Sequence, residues 1–249
     1  MRRLTIGGRN RFPIWSADGL RVAFQSDREG DQGIFWQRAD GTGTAERVTK
    51  PDEGASHVPD SWSPKGDRFL FTATKGSDSS LWAFSLRDKK ATPFGDVRSR
   101  QPINAVFSPD GQWVVYTSTE TGTATVYVQP FPATGTKYQI SKATVSNHHH
   151  AVWSSDGKEV IYIPGPSSAL AVSVSTRPSF TFGNAVTVPK QFFEEGPSTP
   201  RTYDIMRDGQ RFIGVADAAA AQSGAVATTP HMQVVLNWFE ELKQRVPIK

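Results

Sequence analysis

A chain of 249 residues with 37% hydrophobic content and seven tryptophans is long enough to bury a substantial core. It contains no cysteine, which excludes disulfides, thiolate metal sites and cysteine nucleophiles. The 28 basic and 24 acidic residues are interspersed, so the net charge of +4 indicates a solvated surface and no nucleic-acid partner. The chain has no run of eighteen apolar residues, which predicts no membrane insertion. It also begins without the apolar segment of a signal peptide, which predicts a cytoplasmic protein.

A short phrase recurs along the chain: a large apolar residue, a serine in most copies, and a turn that ends in glycine. WSADG begins at Trp15, WSPKG at Trp62, FSPDG at Phe107 and WSSDG at Trp153, and a degraded copy, IMRDG, begins at Ile205. Successive copies start 47, 45, 46 and 52 residues apart. This period is typical of the blades of a β-propeller.

The same order of β-rich runs follows each copy. The first unit continues with RVAFQS, IFWQRA and ERVT, and the second with RFLFTAT, LWAFSL and ATPF. The third has WVVYTST, ATVYVQP and KYQIS, the fourth EVIYIP, ALAVSV and AVTVP, and the fifth RFIGVA and MQVVLNWF. Such runs suit buried strands, so each unit is predicted to be a blade of four antiparallel strands. The large ring that begins most copies is predicted to pack between adjacent blades.

The whole chain, 1–249, is predicted to form one all-β propeller domain. Its blades are expected at about residues 10–50, 56–95, 101–142, 147–190 and 200–238. The last blade lacks a fourth run, and RRLTI at 2–6 matches ERVT in residue type. We expect this N-terminal strand to close a five-bladed ring, because closure removes an open sheet edge. The alternative is part of a six- or seven-bladed ring. We expect a monomer in either case.

The order of these elements resembles the TolB-like β-propeller family over nearly the whole chain. The best match to a blade of that family is FQSDREGDQGIFWQRADGTGTAERVT at 24–49. The repeated residues form turns and cores, so the motif is specific for fold and carries no chemistry. The resemblance implies a sensor or protein-interaction propeller and leaves the partner undefined.

The stretch MQVVLNWFEELKQRVP at 232–247 resembles the C-terminus of bacterial receptor-like serine/threonine kinases that carry such a propeller after a membrane span. The glycine-rich phosphate loop and the HRD and DFG motifs of the kinase domain do not occur in this sequence, so kinase activity is not implied. If the chain is part of such a membrane-anchored receptor, the expected location is extracytoplasmic.

Candidate metal ligands lie just before the repeated phrases, where the chain leads into the innermost strand of each blade and the mouth of the central channel. His57 and His148 both stand five residues before a copy. Strand alternation is expected to place His150 on the same side as His148, with His149 pointing away. His57, His148 and His150 could together hold a divalent metal such as zinc or manganese, and Asp60 could add a carboxylate.

Other polar side chains around these positions could bind a ligand at the channel mouth. They are Arg9, Arg11, Asp60, Arg100, Asn104 and Arg201. Arginines there would suit an anionic ligand or a developing negative charge. The alternative interpretation is structural: a water-filled channel favours polar residues, and histidines also pack at the junctions of blades.

Two functions are compatible with these observations. The first is a non-catalytic module that binds a protein or small-molecule ligand through the channel mouth and the neighbouring loops. It rests on the family resemblance and on a sequence without HExxH, GxSxG, P-loop or EF-hand motifs. The second is a metal-dependent hydrolase of esters, lactones or phosphotriesters, in which a channel metal activates water.

Overall fold

The computed structural model describes residues 4–142, 147–165, 168–188, 196–206 and 212–214. Within these residues every regular element is a β-strand, which confirms the predicted all-β class. No helix of the length and apolarity of a membrane span occurs in the same residues. The kinase-like stretch at 232–247 lies outside them.

The first two blades are four-stranded antiparallel sheets whose strands follow one another from the innermost to the outermost. The strands of the first blade are β1 (Asn10–Trp15), β2 (Arg21–Ser26), β3 (Gly33–Arg38) and β4 (Glu46–Arg47). Those of the second blade are β5 (Ala55–Trp62), β6 (Arg68–Lys75), β7 (Asp78–Ser85) and β8 (Lys90–Ser99). The three β-rich runs predicted after the repeated phrase in each of these units therefore coincide wholly or partly with strands.

The third and fourth blades repeat this order, and the fifth unit begins it. The third blade has β9 (Val106–Phe107), β10 (Trp113–Ser118), β11 (Thr125–Pro130) and β12 (Tyr138–Gln139). The fourth has β13 (His149–Trp153), β14 (Glu159–Gly165), β15 (Ser168–Ser175) and β16 (Thr181–Val188). The described part of the fifth unit is the pair β17 (Tyr203–Ile205) and β18 (Phe212–Gly214).

The closing strand predicted at 2–6 falls partly outside the described residues. Residues 4–6 belong to no strand. Leu4 packs against the buried cluster of Val22, Phe24 and Phe35 on the first blade, whereas Ile6 is 83% exposed. Closure of the ring by the N-terminus, and with it the number of blades, stays a prediction.

The large ring of the repeated phrase packs between blades at Trp62, Phe107 and Trp153, as predicted, whereas Trp15 of the first blade is 44% exposed. Trp62 joins Ala23 and Ile34 of the first blade in one apolar cluster, together with phenylalanines of its own blade. Trp153 packs in the same way on the third blade, and its indole N–H donates to the carbonyl of Val106 at 3.2 Å. Burial of such rings supplies much of the stability that joins the blades.

The turn after each large ring is built by a similar set of hydrogen bonds. In the fourth blade the Ser154 hydroxyl donates to Asp156 at 2.7 Å and accepts from the backbone N–H of Glu159 at 2.9 Å. Gly157 closes the turn with φ of 72°, a conformation that favours glycine. The equivalent Ser16 and Ser108 make the same pair of bonds. In the second blade Lys65 replaces the aspartate, so Ser63 donates to Asp67 at 2.8 Å instead and accepts from the backbone N–H of Arg68 at 3.1 Å. The repeated motif therefore has a structural role.

A bulge interrupts the innermost strands three residues before the large ring. Phe12, Asn104 and His150 occupy this position and adopt φ values of 53°, 49° and 53°. In the first and fourth blades the register of the strand pair shifts at this point. In the second blade Pro59 takes the position, and Asp60 becomes the extra residue. A bulge re-aims the side chains beside it, so alternation does not predict where they point.

Candidate ligand-binding site at the upper face

The antiparallel order of the strands defines two faces of the molecule. The upper face is the end at which the innermost strands begin, and the turns between second and third strands lie there as well. The lower face is the opposite end, with the serine–glycine turns. Most of the ligand-binding residues predicted from the sequence lie at or before the upper ends of strands, whereas Asp60 lies deeper, as the sixth of the eight residues of β5. The structure separates them into a cluster and several isolated side chains.

Asp60 is the central residue of the cluster. Thr72 donates its hydroxyl to Oδ2 of Asp60 at 2.8 Å, and the backbone N–H of Ala105 on the next blade also donates to the carboxyl group. Burial raises the pKa of Asp60 to about 7, although these hydrogen bonds and the charge of Arg201 favour its ionised form. The residue as a whole is partly accessible to solvent, whereas protein surrounds its carboxyl group.

Arg201 and Asn104 complete the cluster. The backbone N–H of Arg201 donates to Oδ1 of Asn104 at 3.2 Å, across 97 residues of sequence. Nε of Arg201 donates to the carbonyl of Tyr203 at 2.9 Å, and the guanidinium acts electrostatically on Asp60. Three of the predicted residues, from the second, third and fifth units, therefore meet at one place.

The three consecutive histidines do not alternate as predicted. His150 adopts a positive φ at the bulge, so its ring meets the ring of His149 edge-on, with 2.9 Å between the two Nδ1 atoms. Nε2 of His150 donates to the carbonyl of Thr199 at 2.6 Å, since a carbonyl can only accept. The hydroxyl of Tyr203 donates to the carbonyl of His150 at 2.5 Å. These contacts attach the segment before the fifth unit to the fourth blade.

His148 lies in a different environment from its two neighbours. Its ring is buried 5.4 Å from the ring of Tyr162, and burial lowers its pKa. Nδ1 of His148 has no hydrogen-bond partner among the residues that the structure describes. The side chain therefore packs as a neutral polar group at the junction of the third and fourth blades, where its backbone N–H donates to the carbonyl of Ala124 at 2.8 Å.

His57, the repeat-equivalent of His148, is held at the junction of the first two blades. Its Nδ1 lies 3.0 Å from the hydroxyl of Thr49, and its ring packs 4.9 Å from that of Phe71. Burial, opposed by the charges of Asp52 and Asp31, lowers the pKa of His57 to about 4. The imidazole is therefore neutral at physiological pH and serves the packing of the blades.

The predicted metal site is not assembled by these side chains. Across the described residues, which include all three histidines and Asp60, no three His, Asp, Glu or Cys groups are placed to hold one ion. The reason is that each predicted ligand has its own partner on a different blade or segment. His57 contacts Thr49, His148 packs on Tyr162, and His150 binds Thr199.

The remaining predicted residues are separated on the upper face. Arg9 is 78% exposed and forms an ion pair with Asp27 at 2.8 Å. Arg11 is an exposed residue of β1. Arg100 lines a cleft between the second and third blades that contains no residue of an innermost strand. Thr72 and Thr199 hydrogen-bond to Asp60 and His150 but were not predicted as site residues. Neither belongs to a sequence motif. The repeat predicts that Thr72 lies in a strand, but not that it contacts Asp60.

Four-stranded antiparallel blades that pack face to face through their large rings define an all-β propeller. Among solved structures, the chain is similar to TolB from Acinetobacter baumannii, with a TM-score of 0.65, 19% identity, and coverage of 84% of this chain and 49% of that one. A putative TolB from Agrobacterium tumefaciens gives a TM-score of 0.61, 17% identity, and coverage of 79% and 71%. The chain therefore has the fold of a TolB-like β-propeller.

Sequence comparison agrees with this fold. No protein-family model matches the chain. The Tol-Pal system protein TolB of Anaeromyxobacter dehalogenans is 26% identical over 115 residues, which is 42% of this chain and 26% of that protein. The uncharacterized peptidase YuxL of Bacillus subtilis is 37% identical over 73 residues, which is 29% of this chain and 11% of that protein. The matched segments thus span only about a quarter or less of these curated relatives.

Proposed function

We propose that this TolB-like propeller is a binding module, and that it takes up a protein or small-molecule ligand at the upper face through Asp60, Asn104 and Arg201. The observation that carries the proposal is the placement of the Asp60 carboxyl group. Burial raises its pKa to about 7, so its ionised form is less stable in the folded protein than in the unfolded chain. A group that lowers stability and is surrounded by polar partners is typical of functional sites.

The chemistry of the cluster suits a ligand with both donors and acceptors. Asp60 supplies carboxylate oxygens, and the two terminal nitrogens of Arg201 make no hydrogen bond within the described part of the chain. A polar peptide segment offers matching groups, because every peptide unit carries one N–H and one carbonyl. We therefore propose a protein partner first and a small ligand second.

The similar proteins also favour a protein partner over a small ligand. TolB is named as a protein of the Tol-Pal system, and its propeller shares the fold described here. By analogy we propose that this chain also acts within a protein assembly. The matched segments cover too little of those proteins for a particular partner to be transferred.

Differential capture tests the proposal. The protein would be immobilised as wild type, Asp60→Asn, Arg201→Gln and Arg87→Gln, the last being an exposed arginine in the turn between β7 and β8 at the lower face. Extract proteins and small molecules retained by each form would be identified by mass spectrometry. We expect specific ligands on the wild type and Arg87→Gln forms that are lost from the other two, while thermal unfolding shows all four to be folded. Equal retention by all four forms would exclude this cluster as the binding site.

The hydrolase hypothesis has less support. It depends on His57, His148 and His150 sharing one metal ion, and these residues have separate partners. The similarity to YuxL covers 11% of that protein, which is too little to carry an activity across. We therefore do not propose metal-dependent hydrolysis at these residues.

A further inference from the structure

A cleft opens on the upper face between the second and third blades. Its volume is about 350 Å³, which is at the lower end of the range for small-molecule sites. Its walls come from the turn between β6 and β7, the end of β8 and the turn between β10 and β11. They carry four charged residues, Asp78, Arg98, Arg100 and Glu120. Asp60, Asn104 and Arg201 are not among the lining residues, so the cleft is separate from the cluster of the proposed function.

Two arginines with unpaired side chains line the cleft. Within the described residues, neither Arg98 nor Arg100 has a side-chain hydrogen bond or an ion pair. Three other cations of the same face do pair with carboxylates: Arg9 with Asp27 at 2.8 Å, Arg47 with Glu29 at 2.8 Å and Lys137 with Glu120 at 2.7 Å. Both guanidinium groups of the cleft therefore keep all their donors for a ligand.

The backbone that carries these arginines is held in place. The Ser118 hydroxyl donates to the carbonyl of Arg98 at 2.6 Å, and the backbone N–H of Arg100 donates to the hydroxyl of Thr119 at 2.8 Å. Because the Thr119 oxygen accepts that bond, its own hydrogen can point into the cleft as a further donor. The cleft thus presents a set of donors on a fixed backbone, which lowers the entropic cost of binding.

The charges in the cleft indicate the class of ligand. Glu120 pairs with Lys137 at 2.7 Å, and the same ammonium group lies 3.8 Å from the exposed Asp96, which does not line the cleft. Asp78 has no ion pair among the described residues, so with Lys137 assigned to Glu120 the unpaired charges of the lining residues are those of Arg98, Arg100 and Asp78. Two free guanidinium groups and one free carboxylate leave a single positive charge. A monoanion balances this charge, and a carboxylate also matches the planar fork of a guanidinium group. A dianion such as phosphate would be repelled by Asp78.

We propose that the cleft between the second and third blades binds a monocarboxylate, with Arg98 and Arg100 holding the carboxylate and Thr119 donating a further hydrogen bond. Asp78 can accept a hydrogen bond from a hydroxyl or amide group of the same ligand. The ligand is either a small carboxylic acid or a glutamate or aspartate side chain of a partner. This inference goes beyond the proposed function, because it concerns a second site with its own residues.

Nuclear magnetic resonance titration tests the inference. The probes are L-lactate, its neutral analogue lactamide, inorganic phosphate, and a capped peptide with one glutamate beside the same peptide with glutamine. The backbone amide signals of Arg100 and Thr119 report on the cleft. The variants are the double substitution Arg98→Gln with Arg100→Gln, and Arg87→Gln as the matched control at the lower face.

We expect L-lactate or the glutamate peptide to shift both signals to saturation in the wild type and in Arg87→Gln. Lactamide and the glutamine peptide should leave them unchanged. The double variant should bind at least about tenfold more weakly, because charge-assisted bidentate bonds are lost. Tighter binding of lactate would identify a small molecule as the source, and tighter binding of the peptide a partner protein.

Three results would overturn the inference: shifts that never saturate, equal shifts in the wild type and the double variant, or phosphate binding more tightly than the carboxylate. The dispersion of the spectra shows in each case whether the variant is folded. The cluster around Asp60 is intact in every variant, so failure at the cleft and failure of the proposed function are distinguishable.

Discussion

The two ends of the innermost strands follow opposite rules. At the lower face the turn serine of each of the four blades donates to a nearby aspartate and accepts a backbone N–H: Ser16, Ser63, Ser108 and Ser154. At the upper face the backbone bulge recurs, but its position is held by Phe12, Pro59, Asn104 and His150. Repetition at the lower face preserves turns and core packing. At the upper face the side chains differ between blades, so different chemical groups surround one opening. We propose that this opening is the functional region.

Removal of a large ring at the lower face should have the largest effect. Trp153→Ala should lower the free energy of unfolding by about 3–5 kcal/mol, because it leaves a cavity between two blades. Trp15→Ala is the matched control, since Trp15 is 44% exposed and Trp153 only 6%. Urea denaturation followed by circular dichroism measures both. A similar loss in the two variants would contradict the assigned difference in packing.

Loss of one turn serine should have the next largest effect. Ser154→Ala should cost about 1–3 kcal/mol, because it removes the acceptor of the Glu159 N–H and the donor to Asp156. Its exposed neighbour Ser155 gives the control, Ser155→Ala, which should change the unfolding free energy by less than about 0.5 kcal/mol. Chemical denaturation compares the two, and an equal effect would show that the bonds of Ser154 contribute nothing specific.

A substitution at Asp60 should stabilise the protein, in contrast to the two substitutions at the lower face. Asp60→Asn should raise the unfolding free energy at pH 8 by about 1–2 kcal/mol, because it removes a carboxylate whose ionised form is disfavoured by burial. The pKa of Asp60 is raised on folding, so its ionisation removes stability as the pH rises from about 4 to about 7.

The gain should therefore disappear at pH 4, and Glu46→Gln, at an exposed carboxylate, should show no such gain at either pH. Denaturation of the three proteins at both values decides the matter. A loss of stability in Asp60→Asn at pH 8 would mean that the carboxylate is a stabilising group, which would remove the observation behind the proposed function.

His57 should produce the smallest effect, visible on acidification. Its pKa is lowered to about 4, so the unfolded chain binds a proton between pH 6.5 and 4 that the folded protein does not. Stability should therefore fall over this window, by about 1 kcal/mol because the ring is partly accessible to water. The measurement belongs in the Asp60→Asn background, since Asp60 contributes the opposite slope. His57→Gln should flatten the curve, and an unchanged slope would rule out His57 as its cause.

Features that depend on contacts between residues close in sequence could be predicted from the sequence, and the strands are the clearest case. RVAFQS coincides with β2, and WVVYTST and EVIYIP match β10 and β14 to within one residue at one end. Each of these runs is preceded by a turn of five residues, 16–20, 108–112 and 154–158, whose hydrogen bonds join neighbouring residues. Sequence patterns report such local determinants well.

The bulge shows where local reasoning failed. Alternation predicted that His148 and His150 share a side, but φ of 53° at His150 turns its ring towards His149. Gly, Asn, Asp and His are the residues enriched in this backbone conformation. Phe12 and Pro59 are none of these, so residue type does not mark the position consistently along the repeat.

The sequence by itself determined the all-β class, the four-stranded unit and the packing of a large ring between units, because all three depend on residue type and on spacing within one repeat. Only the tertiary structure decided which residues meet. Asn104 and Arg201 are 97 residues apart, and the partners of His57 and His148 differ although their positions in the repeat agree. Equivalent positions share a backbone, but the neighbouring blade supplies the contacts, and in this protein neighbouring blades have diverged.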